Sequence, residues 1–300
     1  MTHIATLISN PASAPLDDAV LNLARAALPA SGEPVWLDPG AAADIPFTPA
    51  AEKNQSALAA DVRAALRPHL IDVVVQPAAN RRKRLFLADM DSTMIGQECI
   101  DELADYVGVK AHVAAITERA MRGEIAFEPA LRERVALLKG LSADVVDDVI
   151  KTRIRLTPGG PALVATMRAN GAHTCLVSGG FTLFTHRIAA MIGFDEDRAN
   201  VLNIANGKFS GTVTEPILGK EAKLATLHEL SARFHLKREE TLAIGDGAND
   251  IPMIQGAGLG VAYHGKPAVA AAAPAQIDHG DLSALLFVQG YKRSEFVIPK

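Results

Sequence analysis

From Leu85 to Ala88 the chain reads LFLA, and runs of the same kind recur at His173 to Val177, Thr241 to Gly245 and Leu259 to Ala262. Each is short and apolar, and each gives way to polar or glycine residues and then to helical spacing. That pattern predicts a parallel sheet buried on both faces. Between the first two runs, Glu98 to about Leu156 keeps a helical period with no strand pattern, which predicts a helical cap inserted over the sheet. Val201 to Ala205 and Lys208 to Val213 alternate around Asn206-Gly207, a two-residue turn signal that predicts a hairpin appended to the sheet.

Ahead of this block, His3 to Ile8, Val35 to Leu37 and Asp72 to Gln76 read as strands, while Asp17 to Leu28 and Ala57 to Leu66 carry helical apolar spacing. They predict a small α+β layer. A basic cluster, Arg81 to Arg84, separates the two parts and is expected to be a solvated linker, which divides the chain into 1–80 and 81–300.

Charge and cysteine content narrow the functional classes. A formal net charge of -4 gives no basic field for holding a polyanion, so no nucleic-acid partner is expected. Cys99 and Cys175 stand far apart without metal-ligand spacing, which points to a reducing compartment. No apolar run approaches the roughly 18 residues a membrane span needs, and the start of the chain lacks a basic, apolar leader. A cytoplasmic location without a membrane partner is the expectation.

The chemistry gathers at the ends of the apolar runs. The first leads into Asp89-Met90-Asp91-Ser92-Thr93, the second into Ser178-Gly179-Gly180, and the third into Asp246-Gly247-Ala248-Asn249-Asp250. Open α/β sheets bind their ligands at such strand ends. Carboxylates from two of them suit a hard divalent cation, and an all-oxygen set without His or Cys favours Mg2+ over zinc. Ser178 and neighbouring backbone N–H groups can hold phosphoryl oxygens, and Lys223 at a helix start can neutralise them. In the cap, Arg134 falls on the apolar stripe of Phe127, Leu131, Val135 and Leu138, whereas Arg132 points elsewhere. An arginine there needs a partner, and a substrate carboxylate supplies a bidentate one. Glu98 can receive an ammonium, so the pair suits a zwitterionic amino-acid phosphate.

DMDST, SGG, a lysine at a helix start and GDGAND, in that order, resemble the four motifs of the haloacid dehalogenase superfamily. The resemblance implies a Rossmann-like α/β sheet, Asp89 as nucleophile, Asp91 as general acid and base, and Ser178 and Lys223 as phosphoryl holders. It also implies that Asp246 and the Asp91 backbone carbonyl join Asp89 at the metal, with Asp250 as a supporting acid. MIGQECIDELAD and MRGEIAFEPALRERVALLKGL are similar to the cap of the phosphoserine phosphatase family. By that likeness Glu98 and Arg134 bind the serine head group, Met121 and Phe127 line its pocket, and Gly179 and Asn249 touch the substrate. The first eighty residues resemble the ferredoxin-like ACT domains, which implies a regulatory role or the pairing of two copies. Another small phosphate ester as substrate, an alcohol as phosphoryl acceptor, or an inactive metabolite sensor are the competing readings.

Overall fold

The computed structural model describes residues 1–10, 15–50 and 54–299. The N-terminal part runs β1 (His3–Ser9), α1 (Asp18–Ala27), β2 (Val35–Asp38), β3 (Ala42–Phe47), α2 (Gln55–Ala65) and β4 (Ile71–Pro77). Its strands pair antiparallel in the order β2-β3-β1-β4, the arrangement of a ferredoxin-like domain. Asp17 and Asn54 start the two helices by accepting the backbone N–H of Val20 and Ala57 with their side chains. Alternation gives the sheet two characters. Ala5, Leu7, Ile45, Phe47, Val73 and Val75 pack with the helices on one face. The intervening Thr6, Asp44, Asp72 and Gln76 are buried on the other.

That second face is a bonded seam with the rest of the chain. Both Nη atoms of Arg81 reach the Asp44 carboxylate, at 2.6 and 2.9 Å, and Thr6 donates to the same group. Arg81 also donates to the Val288 carbonyl, as does Gln76. Asp72 accepts the backbone N–H groups of Asp278, His279 and Gly280. The basic cluster is therefore a solvated linker only at Arg82 and Arg84, which are exposed, and not at Arg81. Lys83 is buried too, and its ammonium donates to the Asn80 and Glu239 carbonyls. Partners far away in sequence cover these charges, which a local reading could not reveal.

The second part opens with β5 (Leu85–Ala88) and continues with α3 (Cys99–Asp105), α4 (Lys110–Met121), α5 (Phe127–Ala136), α6 (Val145–Thr152) and α7 (Gly160–Ala169). There follow β6 (His173–Phe181), α8 (Thr182–Ile192), β7 (Glu196–Asn200), β8 (Leu202–Ala205), β9 (Lys208–Val213) and α9 (Lys220–Arg233). The chain ends through β10 (Thr241–Gly245), α10 (Ile251–Gly256), β11 (Leu259–Tyr263), α11 (Pro267–Ala272), β12 (Ala275–Ile277) and α12 (Ala284–Val288). Six of the strands form a parallel sheet, β12-β11-β10-β5-β6-β7. The strand order reverses at β5, and the ends of β6, β5 and β10 lie side by side, the place where such sheets hold ligands. Helices α3 to α6 form the expected cap.

One expectation about strands needs correction, and one edge strand of the large sheet was not foreseen. The hairpin β8-β9 is not appended to the large sheet but forms a separate two-stranded one. Its backbone bonds go to the cap instead: Gly140 N to Phe209 O, Phe209 N to Leu141 O and Ala143 N to Gly207 O, each 2.9 Å. The large sheet is meanwhile extended by β7, whose sequence EDRAN carries no apolar run because it is an edge strand. Among the described residues, no helix is long and apolar enough to cross a membrane.

Candidate active site

The strand ends supply the side chains of the site because the buried strands beneath them fix the backbone. After β5, Asp89 stays extended, and the following turn puts Ser92 at φ 55°, a left-handed conformation unusual for a non-glycine residue. This sharp turn sends Asp91 and Asp89 to different partners. Asp89 Oδ1 accepts from Lys223 Nζ at 2.5 Å. Asp91 Oδ1 accepts the N–H of Cys99, the first residue of α3, and its Oδ2 meets the Ser178 hydroxyl at 3.2 Å. Ser178 Oγ in turn accepts the Gly180 N–H at 2.8 Å.

Lys223 lies in the first turn of α9 and is fully buried, not a surface lysine. Its ammonium bridges Asp89 and Asp250, the latter at 2.6 Å. Asp250 fits there only because residue 245 is glycine, since a Cβ at that position would lie 2.3 Å from the Asp250 carboxyl carbon. The other Asp250 oxygen accepts the Gly247 N–H, and Thr93 donates to Asp246. Asp89, Asp246 and Asp250 each offer an oxygen within 4.8 Å of the others, a set that can hold a metal ion.

The charges do not balance. Five acids, Asp89, Asp91, Glu98, Asp246 and Asp250, converge on a site in which Lys223 is the one ammonium bonded to them among the described residues. Burial, and then the Asp250 charge, raise the Asp89 carboxyl well above its ordinary value against the pull of Lys223. The same two causes push Asp246 up to about 7. Burial opposes the Lys223 charge, yet Asp250 and Asp89 outweigh it and raise its pKa. Burial also raises Asp91, while the Cys99 N–H pulls the other way. Oxygen-only donors with surplus negative charge fit a hard divalent cation.

The cap closes a cavity over this floor. Asp89, Asp91, Ser178 and Gly179 form its base, and Glu98, Met121, Phe127, Leu131, Arg134 and Asn249 its walls. Phe127 packs so near Gly179 that a Cβ there would lie 2.6 Å from the ring. Glu98 accepts the Ser92 hydroxyl at 2.7 Å, and burial, then Asp91, raise its carboxyl well above the usual range. Asn249 Oδ1 is buried without a hydrogen-bond donor among the described residues. Arg134 is 2% exposed and forms no ion pair among the described residues, and burial lowers its pKa against the attraction of Glu98 and Asp101. Arg132, by contrast, is exposed and pairs with Glu215 at 2.7 Å.

All the residues singled out from the sequence thus meet around one cavity and its floor. Those not singled out are Ser92 and Thr93, visible in the DST motif itself, and a pair behind Arg134: Thr117 and Asp101. Thr117 interrupts the buried face of α4 between Val113, Ile116 and Ala120, a polar residue on an apolar stripe that was there to be noticed.

Residues 86–255 match the haloacid dehalogenase-like hydrolase family. The chain belongs to that family. A phosphoserine phosphatase from Polaromonas sp. is 47% identical over 68% of this chain and 88% of its own length. A solved phosphoserine phosphatase carrying a phospho-aspartyl intermediate analogue is similar over 69% of this chain and 98% of its own, with 38% identity and a TM-score of 0.66. A haloacid dehalogenase family hydrolase from Salmonella enterica serovar Typhi covers 96% of this chain and 98% of its own at TM-score 0.83 and 29% identity. At that coverage the likeness includes the N-terminal domain.

Proposed function

We propose that this chain is a phosphoserine phosphatase, which hydrolyses O-phosphoserine to serine and phosphate through a phospho-aspartate on Asp89, the last step of serine biosynthesis. Arg134 carries the reading. A guanidinium buried without an anionic partner is costly, and the carboxylate of a bound amino acid removes that cost by a charge-assisted pair. Across the cavity, Glu98 and the orphaned Asn249 oxygen are acceptors without a cation, as an α-ammonium requires. The phosphoryl end is left to the floor.

Asp89 attacks phosphorus and the bond to the serine oxygen breaks. Asp91, its carboxyl raised by burial, donates the proton that the departing alkoxide needs. It then takes a proton from the water that attacks phospho-Asp89, and phosphate leaves as the acyl–phosphate bond breaks. Ser178, the Gly179–Gly180 backbone and Lys223 hold the phosphoryl oxygens. Asp250 keeps Lys223 in place. Mg2+, when held by Asp89, Asp246 and the Asp91 carbonyl, offsets the repulsion between the phosphate dianion and the Asp89 carboxylate. The ferredoxin-like residues 1–80 we read as a regulatory or pairing module, and the exposed β2 edge at Val35 supports the second role.

Phosphate release from a panel of small phosphate esters tests the assignment. Phosphoserine should be preferred by at least tenfold, with release abolished by a chelator and restored by Mg2+. Equal turnover of phosphoethanolamine or phosphoglycolate would defeat it.

A further inference from the structure

Behind the cavity wall, a polar chain grips Arg134 that the reaction itself does not use. Arg134 Nε donates to the Ala130 carbonyl at 3.0 Å, and Nη1 donates to the Thr117 hydroxyl at 2.9 Å. Thr117 is buried on α4, and its hydroxyl donates to Asp101 Oδ1 on α3 at 2.8 Å, with the Val113 carbonyl at 3.0 Å as the other acceptor in reach. A hydroxyl has a single proton and a carboxylate only accepts. Asp101 therefore orients Thr117 so that its lone pairs face the guanidinium. Three helices of the cap, α3, α4 and α5, meet at this one oxygen. Nη2, with both its protons, makes no hydrogen bond among the described residues, and Arg134 lines the cavity.

The geometry points to Thr117, backed by Asp101, as a positioning residue that aims the free edge of Arg134 at the substrate carboxylate and so sets the selectivity for amino-acid phosphates. This inference rests on the reading of the cavity as a site for phosphoserine. A long side chain held only by its own helix carbonyl would swing about its remaining torsions, and a bidentate partner demands a fixed fork. The Thr117 hydroxyl removes that freedom. Its carboxylate partner also returns some of the negative charge that burial denies the arginine. Neither residue touches the phosphoryl group or Asp89, so their loss should act on binding and leave the chemical step alone.

Steady-state kinetics on phosphoserine and phosphoethanolamine separate this role from simple support of the cap. Thr117→Val keeps the shape and deletes the hydroxyl. KM for phosphoserine should rise roughly 10- to 100-fold, the effect of losing a hydrogen bond to a charged group, with kcat within about threefold. Activity on phosphoethanolamine, which has no carboxylate, should stay within about threefold, and Thr117→Ser should restore the preference. Asp101→Asn keeps an acceptor for Thr117 and removes the charge, and should move the same ratio by a smaller factor, which serves if Thr117→Val does not fold. Parallel losses on both esters, or an unchanged ratio in both variants, would overturn the inference while leaving the substrate assignment intact. A wild type with no preference for phosphoserine would overturn both.

Discussion

At the seam between the two sheets, Asp44 takes both Nη atoms of Arg81 and the Thr6 hydroxyl, and Asp72 takes three backbone N–H groups. At the catalytic floor, Asp89 and Asp250 share one ammonium, and Asp246 beside them has none bonded to it among the described residues. Both regions bury acids, the seam within strands that alternate polar and apolar residues and the floor just past strands that are buried throughout. They differ in whether the chain itself satisfies what it buries. The seam is closed, each of its acids taken up by donors of the chain, so its groups hold the molecule together. Among the described residues the floor has surplus acid and the cap an arginine in no ion pair, and those unmet needs are where a metal, a phosphate and an amino-acid head group fit. Unmet polar need inside a fold marks the ligand more directly than the count of polar residues does.

The comparison can be broken from either side. The largest effect belongs to the floor: Asp89→Asn should bring turnover below detection, and Asp91→Asn should cut kcat by about 10² to 10⁴, with both proteins folded by circular dichroism. An Asp89→Asn variant with more than a few per cent of wild-type activity would remove the nucleophile from the account. At the seam the sign reverses. Arg81→Ala strands Asp44 and should lower stability in urea by about 3–5 kcal/mol, with kcat/KM of the folded protein unchanged. A loss below about 1 kcal/mol would mean that the seam is not the closed network described.

Arg134→Ala sits between the two. It should weaken phosphoserine by about 2–5 kcal/mol in kcat/KM and phosphoethanolamine by much less, and Arg134→Lys should recover only part because an ammonium has no fork. Equal losses for the two esters would assign Arg134 to cap folding.

The smallest effect concerns the surplus charge. In metal-free protein Asp246 sits at about 7 against 3.8 for the free side chain, raised by burial and then by Asp250. A folded value above the unfolded one means that its protonated form favours folding below pH 3.8, and that this advantage is lost as pH rises through about 7. Metal-free Asp246→Asn should therefore melt higher than wild type at pH 8, by a few degrees for about 1 kcal/mol. Mg2+ should raise the melting temperature of wild type but not of the variant. A variant that melts lower without metal would show that the floor is not strained by its own charge.

How far the sequence foretold all this follows from the range of the interactions. β5 and β10 match their apolar runs residue for residue, because a strand buried on both faces must be apolar throughout. The motif residues follow those strands directly, so the floor could be placed. β7 was hidden because its Glu196 and Arg198 are held by ion pairs to His173 and Glu229 at the sheet edge. β3, with Ala42, Ala43 and Pro46, lacks the β-branched residues that mark β1 and β4 of the same sheet. Arg81 was misread since its partner lies 37 residues back, whereas Lys223 was picked out by its place in the motif order although the two acids that bury it come from distant strand ends. Thr117 shows locally as a polar residue on an apolar stripe, but its partners depend on α3 and α5 arriving at one point, which no local spacing encodes.

The covalent intermediate tests the central claim most directly. Protein mixed with phosphoserine and Mg2+, quenched in acid within milliseconds and digested should yield a phosphorylated peptide in which mass spectrometry places an acyl phosphate on Asp89. Its level should rise in Asp91→Asn if that variant blocks hydrolysis more than transfer. Phosphate on any other side chain, or steady turnover by an enzyme that never carries a phosphoryl group, would contradict the account.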